Sequence, residues 1–395
     1  MTYYLLGING FIAKHFYISL LKKKEKVICL HHKDLSDLKN AQTSDIIVNF
    51  CGVNRARSEE EYEKGNHYFL HEILKFLDNN SLPFFMHISS YMVNGFENSN
   101  VNDLPEYQKM FINSKLNGEK FLQENYPNDR LCIIRPSNIY GYDCEPYYNN
   151  ILVTLVYEKI INDYKVVNIN SNCERNFLSV NNLVNTIFEF TKNNKIGIYN
   201  VVSDQNINLA DLCLLIYKGD IPSTLSITAD DISITKKNPI NGELIVLQDN
   251  LPEKLIELEE QIRILLKTKG MVKVEHRNKL SQSRGDMVEI SALNSKRLYM
   301  ITLKDHSVRG NHYHNEQIED FYIHKGTVFF MLAHKNYPSV IYSIVCKEND
   351  CITVNPLIIH TLVNDFVNQI PEIIITSTFP YIPNVVLDTV YVNIV

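Results

Sequence analysis

The densest group of chemistry-bearing side chains is Gly310-Asn311-His312-Tyr313-His314, followed by Glu319 and Gly326. Side chains alternate across a strand, so both histidines of an His-x-His run project from one face. Glu319 falls on what reads as the neighbouring strand, and Gly326 makes the next turn. A second segment, Pro356 to His360 and on to Asn364, brings a third imidazole. Three imidazoles and one carboxylate form a mixed N/O donor set for zinc, manganese, iron or nickel. The alternative is a polar histidine cluster without an ion.

The other end of the chain offers a nucleotide-binding turn. Gly7-Ile8-Asn9-Gly10-Phe11-Ile12-Ala13 follows a short β-rich run. In such a turn, backbone N–H groups and a helix N-terminus receive a pyrophosphate, and the glycines allow its close approach. Gly7, Gly10, Phe11 and Ile12 are therefore candidate cofactor contacts, with an ordinary tight turn as the other reading. The next strand runs into His31, His32 and Lys33 where an NAD site places an acid. Basic groups there suit a ribose 2′-phosphate, so NADPH is expected over NADH; a solvated polar loop is the alternative.

Those two sites need two scaffolds. A chain of 395 residues exceeds one ordinary core, and 45% hydrophobic with 21% charged residues describes a globular protein. The net charge of −6 argues against nucleic-acid and membrane-surface partners. No basic leader, long apolar run or CxxC pair occurs, so neither a signal peptide nor a membrane span is expected, and the eight cysteines fit reduced thiols in a cytoplasm. Up to residue 200, β-rich runs at 3–6, 27–30, 45–50, 84–89 and 131–134 alternate with helical patterns at 61–77 and 114–123. That alternation predicts an α/β doubly wound parallel sheet. A charged amphipathic helix over 253–267 ends at Lys269-Gly270, which sets domains of 1–270 and 271–395; 220–270 is otherwise hard to place. Beyond it, short regularly spaced strands predict an all-β barrel or sandwich.

Five segments together resemble the extended short-chain dehydrogenase/reductase family over residues 1–260. They are Asn49-Phe50-Cys51-Gly52, His87-Ile88-Ser89-Ser90 through Gly95, Arg135-Pro136-Ser137-Asn138-Ile139-Tyr140-Gly141, Arg175-Asn176-Phe177 and Tyr199-Asn200-Val201. The resemblance implies a Rossmann-type sheet with Gly52 lining the cofactor and Arg135, Asn138 and Arg175 near the substrate. It also implies catalytic roles for Ser90, as a hydrogen-bond donor to a carbonyl oxygen, and for Lys115, which holds the nicotinamide ribose. The family's proton-donating tyrosine falls at Phe111, four residues before Lys115. Phenylalanine has no proton to give, and losing a positioned acid costs on the order of 10²- to 10⁴-fold in rate. Tyr107, one helical turn earlier, and Tyr91 are the candidate substitutes.

The C-terminal residues resemble the cupin motifs HxHx₄Ex₆G and PxGx₂Hx₃N. His306 stands where the first motif begins with glycine, and the second lacks its glycine and is one residue short before His360. A reductase followed by a cupin is similar to the bifunctional capsular-polysaccharide enzymes of the CapF type. That likeness rests on Gly52-Val53-Asn54-Arg55, the helix from Ser114 to Glu119, Arg284-Gly285-Asp286-Met287-Val288-Glu289, and Gly310 to His314. It implies a homodimer acting on a UDP-linked keto-sugar. The cupin, with zinc at His312, His314, Glu319 and His360, would epimerise C3 of a UDP-4-keto-6-deoxy-N-acetylhexosamine, and the reductase would then reduce C4 with NADPH. A C–H beside a ketone is acidic, and a metal can stabilise the charge left on proton removal. Asn54, Arg284 and Arg309 are candidate substrate contacts; Tyr313, His306 and Glu289 are candidate bases. Two other readings stand: a cupin isomerase with an impaired reductase half, and a non-catalytic sugar-nucleotide binder.

Overall fold

The computed structural model describes residues 1–94, 104–146, 150–161, 167–171, 173–220, 222, 225–228, 241–278, 280–282, 285–288, 295–380 and 388–395. Arg284 and Glu289, and the side chain of Lys33, lie outside the described set. The chain divides into two compact units, Met1–Ser19 with Leu30–Glu260 and Leu20–Cys29 with Gln261–Val395. All eight cysteines are free, and no described helix is long and apolar enough to cross a membrane.

A seven-stranded sheet organises the N-terminal part, in the order Glu243–Leu247, Gly197–Ser203, Leu131–Pro136, Phe84–Ile88, Ile46–Asn49, Tyr3–Leu6, Val27–Leu30. Its registered pairs are parallel. Tyr3–Leu6, Ile46–Asn49, Phe84–Ile88 and Leu131–Pro136 are buried at every position, as parallel strands covered on both faces must be. From Tyr3–Leu6 the chain goes to Val27–Leu30 on one side and returns to Ile46–Asn49 on the other. Ligands of open α/β sheets bind outside the carboxyl ends of strands at such a reversal. Gly7 and the Asn49-to-Gly52 segment follow those two ends. The edge strand Glu243–Leu247 was unreadable from sequence because most of its positions are exposed or half-exposed and carry little periodic pattern.

The helix expected over 61–77 is interrupted. α-Helical Glu59–Glu63 and Phe69–Lys75 flank a π-helical turn at Lys64–Tyr68. That wider turn carries the buried Asn66, whose amide accepts from Val53 N at 2.8 Å and donates to Val53 O at 2.9 Å and Ser114 Oγ at 3.0 Å. The π-turn thus ties the loop after Gly52 to the long helix Glu106–Asn125.

The C-terminal part is antiparallel β. One five-stranded sheet runs Val272–His276, Asp350–Val354, Glu319–Lys325, Glu372–Ser377, Arg297–Thr302; the other runs Tyr342–Lys347, Thr327–His334, Ile358–Asn364, Ser307–His314, Thr389–Tyr391. Phe321, Ile323, Ile352 and Ile375 of the first share one apolar core with Val328, Phe330, Leu332, Ile358 and Leu362 of the second.

Candidate functional site

In the second sheet, Ser307–His314 pairs with Ile358–Asn364, and His312 stands opposite His360. Reaching that pairing requires a bulge between Gly310 and His312. Gly310 has φ +105°, and a Cβ there would lie 2.4 Å from the His360 carbonyl oxygen, so only glycine fits. Thr361 pins the bulge, accepting from Asn311 N at 3.1 Å and donating to Asn311 Oδ1 at 3.0 Å. Bulges re-aim the side chains that follow them. Here the result is His312 Nε2 at 3.1 Å from His360 Nε2. Glu319, the first residue of its strand in the other sheet, places Oε2 3.3 Å from His314 Nε2 and 3.2 Å from His360 Nε2.

All four donor atoms lie within 4.8 Å of one another. Donors about 2.0–2.2 Å from one tetrahedral ion stand roughly 3.3–3.6 Å apart, close to the 3.1, 3.2 and 3.3 Å that separate His312 from His360, His360 from Glu319 and His314 from Glu319, so these residues fit such an ion once the wider pairs draw in. Their outer atoms are also held. His360 Nδ1 faces the Ile358 carbonyl at 3.2 Å, and His314 Nδ1 lies 3.4 Å from Thr389 Oγ1, which leaves both Nε2 atoms inward. Glu319 Oε1 accepts from Gln317 Nε2 at 2.8 Å and from the Tyr299 hydroxyl at 3.3 Å. Asp388 accepts the backbone N–H groups of Asn315, Glu316 and Gln317 at 2.9, 2.8 and 2.8 Å, clamping the turn between His314 and Glu319. Burial pushes the Glu319 carboxyl up, but hydrogen bonds and charge from His314 and His360 outweigh it and hold it well below the usual range. Burial, then the neighbouring His360, brings His312 down to about 4.

Gln317, Tyr299, Asp388 and Thr389 escaped the sequence reading. Gln317 alone sat inside a motif that could have flagged it. Two of the candidate bases do not join the cluster. Tyr313 alternates to the opposite face of its strand from His312 and His314, under Lys335 Nζ at 5.5 Å. His306 precedes the strand, bonded to Asp365 Oδ1 at 2.9 Å, a bond that raises its pKa. Its φ of +55° shows why glycine suits that position. Arg309 is exposed, and its positive charge reaches the Tyr299 phenol.

In the N-terminal unit, Gly7 has φ +84° and Gly10 N donates to Gly7 O at 2.9 Å, forming the tight turn into helix Phe11–Lys22. A Cβ on Gly7 would lie 2.9 Å from Cys51 N, which packs the turn against the strand end at Gly52. No acidic residue occupies the helix's first turn, and Phe11 and Ile12 begin it half-buried. Asn49 shapes the neighbouring strand end, accepting from Cys51 N at 3.0 Å and contacting His87 Nδ1 at 3.1 Å. Lys115 reaches this crevice from the helix Glu106–Asn125. It is 3% exposed, and its Nζ would lie 2.6 Å from a Cβ on Gly52. Burial lowers its pKa to about 8, with Glu119 and Cys51 acting in the opposite sense. Burial, then Lys115, depresses His87 to about 3, so that ring stays neutral.

The remaining candidates are placed unevenly. Ser90 is half-buried at the end of Phe84–Ile88 and accepts from Met92 N at 3.3 Å. Phe111 is 8% exposed in an apolar cluster with Tyr62 and Ile112. Tyr107 is 59% exposed in the first turn of its helix, with its hydroxyl 3.0 Å from Gln108 Nε2, so the structure does not bring it to buried Lys115. Arg135, expected beside the substrate, is instead 1% exposed and engaged by Glu119, with Nη2 2.5 Å from Oε2 and Nη1 2.9 Å from Asn94 Oδ1. A buried guanidinium must be paired in this way. Ser89 donates to the same Glu119 carboxylate. Asn138 donates to Asn176 O at 2.9 Å and Arg175 to Glu174 O at 3.0 Å, both exposed, and Asn54 and His32 are exposed as well, with the His32 ring 4.3 Å from Phe69.

Residues 3–202, half of the chain, match the NAD dependent epimerase/dehydratase family. The chain belongs to that family. Residues 280–379 match the Polysaccharide biosynthesis C-terminal domain. Among solved structures, MoeE5 in complex with UDP-glucose and NAD is similar with a TM-score of 0.53 and 15% identity, covering 67% of this chain and 100% of that one. UDP-N-acetylglucosamine 4-epimerase from Bacillus cereus follows at 0.50 and 14%, covering 67% and 96%. The capsular polysaccharide assembling protein CapF from Staphylococcus aureus gives 0.48 and 21%, covering 99% and 100%. No curated protein sequence matches the chain.

Proposed function

We propose that this family member is a two-centre nucleotide-sugar enzyme of capsular or related surface-polysaccharide synthesis. In this reading the C-terminal unit epimerises C3 of a UDP-4-keto-6-deoxy-N-acetylhexosamine, and His312, His314, Glu319 and His360 would hold the divalent ion that the step needs. The crevice around Gly7, Gly52 and Lys115 then serves NADPH-dependent reduction at C4. The observation that carries the reading is the convergence of three imidazole Nε2 atoms and a carboxylate oxygen within 4.8 Å.

A divalent ion, zinc in this proposal, would supply Lewis acidity to a keto oxygen, and NADPH would supply hydride. The chain's own residues do the rest. Gln317 and Tyr299 occupy Glu319 Oε1 and so reserve Oε2 for the centre. The exposed guanidinium of Arg309 suits a diphosphate. In the other unit, the Gly7 turn and the start of the Phe11–Lys22 helix present N–H groups to a pyrophosphate. Lys115, whose ammonium has no hydrogen bond to a described residue, suits the ribose hydroxyls. The hydroxyl of Ser90 suits a carbonyl oxygen at the strand end.

A second reading is favoured by Phe111. Its ring packs among apolar neighbours, and Tyr107, one turn earlier, is 59% exposed. The chain would then be an epimerase or ketoisomerase whose first unit binds nucleotide without rapid reduction. Incubating zinc-loaded protein with a UDP-4-keto-6-deoxy-N-acetylhexosamine in D₂O, with and without NADPH, tests both. Deuterium at C3 with NADPH oxidation supports the two-centre enzyme, and deuterium without oxidation supports the isomerase. No deuterium in either arm refutes both.

A further inference from the structure

A second convergence of imidazoles lies in the first unit, apart from the groups assigned above. His67, in the π-turn Lys64–Tyr68, and His71, in the helix Phe69–Lys75, are four residues apart and bring their Nε2 atoms to 3.0 Å. Residues at that spacing share one helix face. His67 Nδ1 lies 2.8 Å from Glu63 Oε2, while Glu63 Oε1 accepts from Asn117 Nδ2 at 2.8 Å. A carboxylate only accepts, so it holds the His67 proton on Nδ1 and leaves the Nε2 lone pair directed at His71. The His71 ring lies flat on Phe121, with centroids 3.6 Å apart and planes 11° apart, which fixes where its own Nε2 points.

Without an ion, one ring donates to the other. With bonds of about 2.05 Å, two nitrogens 3.0 Å apart subtend about 94° at a shared ion, the angle of adjacent positions in a square-planar or octahedral sphere. We propose that His67 and His71 form an open chelate for a late first-row divalent cation, copper, nickel or zinc, with water in the remaining positions. Glu63 acts as the positioning residue that sets the His67 tautomer, as carboxylates behind metal-bound imidazoles do. Both rings are half-buried. The chelate is independent of the C-terminal centre, since it shares no residue with it.

The test is equilibrium dialysis of the full-length chain against Ni²⁺, comparing wild type with His67→Ala, His71→Ala and Glu63→Gln, each checked for folding by circular dichroism. The wild type should bind one more equivalent than either histidine variant, whatever the C-terminal centre holds. Glu63→Gln should retain that equivalent with an affinity about tenfold or more weaker. Equal stoichiometry in wild type and both histidine variants overturns the proposal. So does loss in only one of the two, because a chelate requires both rings.

Discussion

Replacing Lys115 by methionine separates stability from ligand binding in a way that follows directly from the geometry. The ammonium is 3% exposed and sits near pKa 8 against an ordinary 10.5, chiefly through burial. That difference corresponds to roughly 3 kcal/mol of destabilisation carried by the folded protein while both states are protonated. The folded pKa is the lower one, so between about pH 8 and 10.5 the unfolded chain holds more protons and stability rises with pH; above 10.5 the penalty is gone. Methionine fills much of the same volume without charge. Lys115→Met should therefore be more stable than wild type at pH 7, by up to about 3 kcal/mol less any loss of packing. That gain should shrink towards zero above pH 10.5. Urea unfolding at pH 7 and above pH 10.5 measures both values, and dinucleotide titration should show weakened binding in the same variant. A variant destabilised equally at both pH values would refute the view that Lys115 is a strained group kept for a ligand.

Asp388→Asn keeps the shape of the clamp on residues 315–317 but removes its charge. Zinc affinity, read by competition with a chromogenic chelator, should fall by about 10- to 100-fold, and unchanged affinity would count against the clamp. Gly310→Ala sets a Cβ 2.4 Å from the His360 carbonyl at a φ of +105°. It should cost on the order of 2 kcal/mol or more in unfolding experiments and weaken metal retention; a silent substitution would mean the bulge does not aim His312. Phe111→Tyr should raise NADPH-dependent reduction by on the order of 10²-fold or more if the acid alone is missing. No gain would favour the isomerase reading.

Much of the architecture was legible because it rests on local pattern. Continuous apolar runs announced the buried parallel strands, and the change to short regularly spaced strands announced the antiparallel part. The His-x-His face could be read from strand alternation, but not the bulge at Gly310, because its cause is a close approach to His360 fifty residues away. Asp388 and Thr389 were unreadable for a similar reason: strand pairing of His314 with Thr389 creates their roles, and no local signal marks it. Helical periodicity found the 61–77 segment but not its π-turn, which answers to Asn66 reaching Val53 and Ser114. The motif marked Arg135 but not its pairing with Glu119 on a neighbouring helix, a contact between separate segments that no local pattern signals.

The most direct test of the C-terminal centre is its metal content. After zinc loading and extensive desalting, elemental analysis should find one tightly held ion per chain in the wild type and none in His314→Ala or His360→Ala. A folded wild-type protein that retains no divalent metal under those conditions would contradict the account at its root.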